Sequence, residues 1–385
     1  MKYVILNDIA QIYLGLTHTP KYVSEGIPFL SVKDISQGRI DFENCKYITA
    51  EEYNKLPIGA KPQANDILFC RVGTLGKPIV ISPTTPKFGS FVSLGFLRVK
   101  NTNIELDYLK YWMQSKMFFS QVYSNVSGAA QVNLNTGWLK NFLIPFYEKD
   151  KQKSIINELN SVNNIITLAK QRLLALDALV KSRFIEMFGD QETNPYNLNV
   201  GKLSDVADIY LGLTHTPTYV EQGKPFLSVR DISSGVIDFS NCHYITEEEF
   251  DSLPNGARPK VGDMLFCRVG TIGKPVIIPE NTPEFGTFVS VGYLRKKVNV
   301  NNYYLKSWME NDYFMRQVYD NVAGASQINL NTGWLKNFRI LIPPMALQEQ
   351  FAAFVEQTDK SKFEIQKSLE KLETLKEALM QKYFG

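Results

Sequence analysis

Two kinds of apolar pattern alternate along the chain. Short apolar runs such as Phe29-Leu30-Ser31-Val32 and Pro78-Ile79-Val80-Ile81 are separated by clusters of Gly, Pro and Asn, which predicts short strands joined by turns. The run from Gly262 to Arg268 reads as a turn entering a buried strand. Asp107 to Val122 predicts a helix with Leu109, Trp112, Met113 and Val122 roughly on one side, although Phe118 and Phe119 blur the stripe. The second pattern is different. From Lys151 to Phe188 there is neither Gly nor Pro, and Leu159, Val162, Ile166, Ala169, Leu173, Leu176, Val180 and Met187 follow a heptad seam that Arg183 interrupts. From Ala346 to Phe384 Gly and Pro are again missing. There Ile365, Leu369, Leu372, Leu375 and Leu379 form the stripe, which Thr358, Ser361 and Ser368 weaken. Each stretch predicts a helix of about 55–60 Å.

The same order is written twice. Leu14–Pro20 recurs as Leu211–Pro217, and LFCRVGTLGKP at Leu68–Pro78 recurs as LFCRVGTIGKP at Leu265–Pro275, both 197 positions on. NLNTGWLKNF at Asn133–Phe142 recurs unchanged at Asn329–Phe338, 196 positions on. Phe188-Gly189 closes one copy and Phe384-Gly385 the other. The period is far longer than a solenoid module, and each copy is long enough to fold alone. A neutral duplication would leave the same trace.

A long helix with one narrow apolar stripe is unstable by itself in water. The two helices are therefore expected to pack on each other as an antiparallel coiled coil; the alternative is that each folds back on its own domain. The predicted fold class is α+β: two strand-rich domains joined by two long helices, with pseudo-two-fold symmetry. The expected boundaries are 1–145 for the first domain, 146–189 for the first helix, 190–198 for a linker, 199–343 for the second domain and 344–385 for the second helix. The symmetry further predicts Gly385 close to Met1, with that gap mirroring the linker.

Composition adds exclusions. The chain is 44% hydrophobic and 21% charged, a balance that suits a folded chain rather than a disordered one. No apolar run approaches a membrane span, and the start lacks a basic-then-apolar secretion pattern, so a cytoplasmic protein is expected. The net charge of +3 points only weakly to an anionic partner. The cysteines are Cys45, Cys70, Cys242 and Cys267, matched in pairs by the repeat. None has the close spacing of a zinc ligand, and buried reduced thiols are expected. Catalytic signatures are missing too. Asn194-Pro195-Tyr196 lacks a residue of the adenine-methyltransferase motif. Gly73-Thr74-Leu75-Gly76-Lys77-Pro78 is too short for a phosphate loop, with Pro78 where a Ser or Thr is required. His18 and His215 recur in both copies, but no nucleophile is placed beside them. No catalytic residue, cofactor site or metal site is assigned.

Several segments carry a family resemblance: Gly15–Pro20, Gly26–Ile35, Asp66–Lys77, Gln131–Pro145, and in the second copy Ile342-Pro343-Pro344-Met345 followed by Gln348-Glu349-Gln350. The first copy departs at Phe146-Tyr147-Glu148. In this order, over the whole chain, they resemble the specificity (HsdS) subunits of Type I restriction–modification enzymes. The resemblance implies that the globular parts are target recognition domains, each reading half of a split site on double-stranded DNA. It implies helices that act as spacers and docking surfaces for two modification subunits, which bind S-adenosylmethionine and methylate adenine. A separate motor–nuclease subunit cleaves. This chain would be non-catalytic and hold no cofactor. A subunit of another restriction or methylation system, or a protein scaffold that binds no DNA, keeps the same layout.

Polar and basic residues that recur in predicted loops are the candidate DNA contacts. They are Thr17, His18, Thr19, Lys33, Arg71, Thr74 and Lys77, with Thr214, His215, Thr216, Arg230, Arg268, Thr271 and Lys274 in the second copy. Arginine suits a guanine edge, and lysine or threonine suits phosphate. Each could equally be an ordinary surface charge or turn residue. Trp112, Trp138, Trp308 and Trp334 are expected in cores rather than as stacking platforms. Lys367, Glu370, Lys371 and Glu373 are expected on a solvated or partner-docking helix face. Two alike domains predict two alike half-sites, an interrupted palindrome with half-site centres about one helical turn (roughly 10 bp) or a multiple apart.

Overall fold

The computed structural model describes residues 2–126, 132–297, 300–322 and 328–385. They form two compact units: one runs up to Lys170 and includes Lys367–Gly385, the other is Gln171–Gln366.

In the first unit, strands Ala10–Leu14, Leu94–Val99, Ile67–Cys70 and Gly76–Val80 form an antiparallel sheet in that order. Both faces of this sheet are buried. Along Ile67–Cys70 the alternation of a pleated strand sends Ile67 and Phe69 into one core, Leu68 and Cys70 into another. A second sheet has Ile27–Leu30 at its centre, antiparallel to Lys46–Ile48 and parallel to Gly89–Ser90. A two-stranded pair, Lys2–Ile5 with Leu143–Phe146, closes the unit.

The helix expected over Asp107–Val122 is two helices, Leu106–Trp112 and Lys116–Ser124. The Ser115 hydroxyl caps the second by accepting from Phe118 N at 3.2 Å. The break turns the second helix on its axis, so Phe118 reaches the core although the first helix's stripe does not lead to it. Trp112 is fully buried and Trp138 packs at the edge of the same core.

The second unit repeats this plan. Its four-stranded sheet runs Ala207–Leu211, Val291–Lys296, Met264–Cys267, Gly273–Ile277. Lys224–Leu227 lies between His243–Ile245 and Gly286–Thr287, and Asn199–Lys202 pairs with Arg339–Ile342. Trp308 is fully buried and Trp334 part-buried against this unit's core.

The long helices are Lys149–Phe188 and Met345–Phe384, 40 residues each, about 60 Å. Within each unit they run antiparallel against each other. In the first, Tyr383 Oη donates to Glu158 Oε2 at 2.7 Å, and Lys170 pairs with Glu373 at 2.9 Å. In the second, Lys362 pairs with Asp177 at 2.6 Å, and the Phe184 and Phe351 rings meet edge-on at 5.6 Å.

The seam of the second helix differs from the expected stripe at one place. Its inner positions are Val355, Thr358, Lys362, Ile365, Leu369, Leu372, Lys376, Leu379 and Tyr383, and Leu375 is 47% exposed. Alternating steps of three and four from Leu369 land on Lys376, not on its apolar neighbour. Burial, and then the nearby Lys170 charge, lower the Lys376 pKa. In the first helix Phe184 is buried beside part-exposed Arg183, whose guanidinium lies 5.9 Å from the Phe354 ring centre.

Each long helix is fastened to its unit by a glutamine in its first turn. Gln152 is fully buried; it accepts from Glu105 N and donates to the carbonyls of Asn103 and Tyr147. Gln348, in the second copy's Gln348-Glu349-Gln350, accepts from Asn301 N and donates to Pro343 O. The first helix ends at Gly189, whose φ of 72° is a left-handed stop that a side chain resists. Asp190 Oδ1 then accepts from Glu192 N and Thr193 N and turns the chain. Met1 lies outside the described residues, so its expected nearness to Gly385 does too. Phe384 does pack in the first unit's core with Leu6, Ile9 and Tyr108.

Candidate nucleic-acid interface

Four stretches of the first unit meet at one end of its two sheets. Strands Ala10–Leu14 and Ile67–Cys70 end there, and Leu94–Val99 begins there. Gly15 N donates to Leu94 O, Leu16 N to Ser90 O at 2.8 Å, and Val92 N back to Leu16 O at 2.8 Å. Gly15 is required by this approach, because a Cβ would run into the carbonyls of Phe91 and Ser90. Ser93 ties in the other two stretches: its hydroxyl accepts from Val32 N at 3.1 Å and its carbonyl from Arg71 N at 3.0 Å. The second unit repeats this with Gly212, Leu213, Val289, Ser290, Val229 and Arg268.

Thr17, His18 and Thr19 stand exposed immediately after Leu16, and Thr214, His215 and Thr216 after Leu213. Lys33 and Arg230 are exposed on the short turns Val32–Asp34 and Val229–Asp231. These turns are held in shape by Asp34 and Asp231, whose carboxylates accept from the backbone and hydroxyl of Ser31 and Ser228. The structure therefore gathers the Thr-His-Thr loop and the Lys33 or Arg230 turn about one loop, 90–93 or 287–290.

Arg71 and Arg268 are corrected. They were expected to present a guanidinium to DNA, but Arg71 is 8% exposed and Arg268 9%. Arg71 Nε donates to Leu134 O at 2.9 Å and Nη1 to Val92 O at 2.6 Å. Arg268 makes the same two bonds to Leu330 O and Val289 O at the same distances. Burial lowers the pKa of both. Each arginine is the clasp of the loop cluster rather than its reading edge. The repeated arginine reflects three backbone segments meeting around one side chain, which a linear pattern does not disclose.

Thr74 and Thr271 are exposed in the hairpin loop just beyond the clasp. Lys77 and Lys274 are exposed too, both with φ of 49°, in a strand whose register shifts opposite Phe69 or Phe266. Lys274 lines a cleft with Lys181, Lys306, Glu310 and Lys362, and so belongs to the long-helix side of its unit.

Ser93 and Ser290 organise the cluster and were not among the candidates. Their signal was the Phe-Val-Ser triplet repeated at 91–93 and 288–290. Of the Gln131–Pro145 block, Gln131 lies outside the described residues. Leu134 returns a hydrogen bond to Arg71 O at 3.0 Å, and Asn135 caps the short helix Thr136–Leu139.

The four cysteines are free and buried. Among the described residues no group of three or more His, Cys, Asp or Glu is arranged to hold a metal ion, and no helix is long and apolar enough to cross a membrane.

The model of the Type I restriction modification DNA specificity domain matches residues 195–377, the second copy of the repeat. The second copy of the repeat thus matches the Type I restriction–modification DNA specificity family. The first copy carries the same loop segments 197 positions earlier.

Two curated relatives come from Methanocaldococcus jannaschii. The chain is 26% identical to the putative type I restriction enzyme MjaX specificity subunit over 197 residues, 49% of this chain and 46% of that one. It is 21% identical to the type I restriction enzyme MjaVIII specificity subunit over 400 residues, 94% and 88% of the two chains. The first match thus spans about half of that relative's length.

Two solved structures share the fold. One comes from work on complex assembly and conformational transition of the type I R-M system; it has a TM-score of 0.60 at 15% identity and covers 100% of this chain and 97% of that one. The other is the S subunit of the Type-I restriction-modification system from M. genitalium, with a TM-score of 0.56 at 14% identity over 100% and 96%. The mixed helix-and-sheet units and the long helices have the fold of these two structures.

Proposed function

We propose that this chain is the non-catalytic DNA-reading subunit of a Type I restriction–modification system, and that each unit reads one half of a split duplex site. The observation that carries the reading is the recurrence of one loop cluster, with Thr-His-Thr, a basic turn residue and an arginine clasp, in both units of a specificity-family chain. Exposed hydroxyls, imidazoles and cations on rigidly held loops suit contacts to phosphates and base edges.

The chemistry belongs to partners in this reading. Two modification subunits bind S-adenosylmethionine and methylate adenine, motor–nuclease subunits cleave, and this chain holds no cofactor of its own. Leu168 (62% exposed) and Leu174 (69%) on the first helix and Phe363 (66%) on the second support docking of proteins there. A system that acts on the chromosome works in the cytoplasm.

Methylome sequencing of a strain carrying the system tests the reading. An interrupted palindrome is expected, because the Thr-His-Thr loop and the Thr74 and Lys77 positions are the same in both units. Two unrelated half-site words would sink the claim of alike readers. Replacing Thr17, His18 and Thr19 by alanine should relax one half of the motif only, and equal relaxation of both halves would count against one unit per half-site.

A further inference from the structure

The two loop clusters are alike in shape but not in charge. At the turn, the Lys33 ammonium makes no hydrogen bond or ion pair among the described residues, whereas Arg230 is tied down: its Nε meets Asp231 Oδ1 at 3.2 Å and its Nη2 donates to Asn241 O at 3.1 Å. Six residues on, exposed Arg39 is matched by exposed Val236. Next to the turn, the Lys46 ammonium lies 4.2 Å from the Tyr22 ring centre, and in its place His243 stacks on Tyr219 at 4.0 Å. The wider surroundings follow the same trend. Residues 1–145 hold 15 Lys and Arg against 10 Asp and Glu; residues 199–343 hold 14 against 15.

Lys33, Arg39 and Lys46 lie exposed on neighbouring segments of the first unit. Lys46 pairs in register with Phe29, two residues before the turn that begins at Ser31. Asp41, whose N–H donates to Asp34 O, feels the Arg39 charge. The aromatic ring holds the Lys46 stem against the surface while leaving its ammonium exposed.

We infer that Lys33, Arg39 and Lys46 form a phosphodiester-binding patch present in the first unit only, so that the first unit anchors the duplex and the second contributes reading with little backbone affinity. This rests on the DNA-reading function proposed above and adds which unit supplies the phosphate contacts. The shared loops would then set the same word in both units, while the charge difference sets the order and salt sensitivity of engagement. Each neutralised phosphate steepens the fall of log K with log salt by about 0.9.

The test uses the full chain with its modification subunits and a mixed-sequence duplex of about 30 bp as probe, with affinity followed from 50 to 250 mM salt, a range in which phosphate contacts dominate the change. Lys33→Gln, Arg39→Val and Lys46→His together should lower the salt slope by about 2–3 and weaken binding more than tenfold at low salt. Arg230→Gln with His243→Gln should lower it by about one or less. All five side chains lie at the surface, and matched thermal melts would exclude unfolding. An unchanged slope in the triple variant, or an equal loss in both sets, overturns the inference while leaving the function standing. A wild-type complex that binds no duplex even at 50 mM salt overturns the function as well.

Discussion

Arg71 and Leu134 hold each other twice: the guanidinium Nε donates to Leu134 O at 2.9 Å, and Leu134 N donates back to Arg71 O at 3.0 Å. A second guanidinium nitrogen reaches Val92 O. One buried cation thus joins the hairpin, the 90–93 loop and the segment that leads to strand Leu143–Phe146. Arg71→Ala leaves two buried carbonyls without donors and should cost about 2–3 kcal/mol of stability in its own unit. Urea unfolding should show the loss, with faster amide exchange at 90–93 and 132–135. Arg71→Lys cannot span both carbonyls and should recover less than half of it. A stable, fully protected Arg71→Ala protein would remove the clasp from the account.

Glu158 supplies a pH dependence. The hydrogen bond from Tyr383 holds its carboxyl below the ordinary value; burial opposes it, and the Lys382 and Lys151 charges add to the lowering. Its folded proton affinity is therefore lower than in the unfolded chain, where a glutamate titrates near about 4.3. The stability it contributes is present in full above that value and is lost as pH falls through the lower folded one. Tyr383→Phe removes the main cause. Denaturation midpoints of wild type and variant should differ at pH 6 and converge toward pH 3; a constant gap would show that the phenol acts through packing alone.

Lys376 occupies a seam position while Leu375 beside it is exposed. Burial and the Lys170 charge both work against its protonated form. Lys376→Leu replaces a disfavoured cation with an apolar side chain and should stabilise by about 1 kcal/mol. That corresponds to a rise of about 2–4 °C in the melting temperature of a unit this size. Leu375→Lys, on the exposed side, should be nearly neutral. A lower melting temperature for Lys376→Leu would place the lysine in a favourable pairing instead.

The Cys70 and Cys267 thiols are each pushed up to about 11 by burial, against a small opposing effect of Lys77 or Lys274. Only a trace of thiolate forms at pH 8, and the sulfur is covered as well. Alkylation by iodoacetamide at pH 8 should be slow in the native protein and complete within minutes in 6 M guanidinium. Rapid native labelling of either residue, located by peptide mass, would show that its sheet opens readily.

Much of the fold was legible because it rests on local patterns that occur twice. The heptad stretches became helices of 40 residues, and the Gly262–Arg268 run became the strand Met264–Cys267, buried on both faces. The boundary between Leu106–Trp112 and Lys116–Ser124 was not legible, because a serine cap inside an apolar stretch changes the facing of the second helix without changing its composition. Of the candidate contacts, the Thr-His-Thr residues and Lys33 or Arg230 lie together around one loop. Arg71 and Arg268 turned inward, and Lys274 faced a long helix.

The sequence by itself determined the duplication, the strand-then-helix order of each copy and the family the motifs point to, since periodicity and repeated words are properties of the linear chain. Only the tertiary structure decided which repeated residues are free to touch a partner. Arg71 and Lys33 are both basic residues with counterparts in the second copy, yet Arg71 is consumed by carbonyls from segments 21 and 63 residues away, and Lys33 is held by none. Availability for binding is what remains after such long-range hydrogen bonds are satisfied, and that balance exists only once the segments have met.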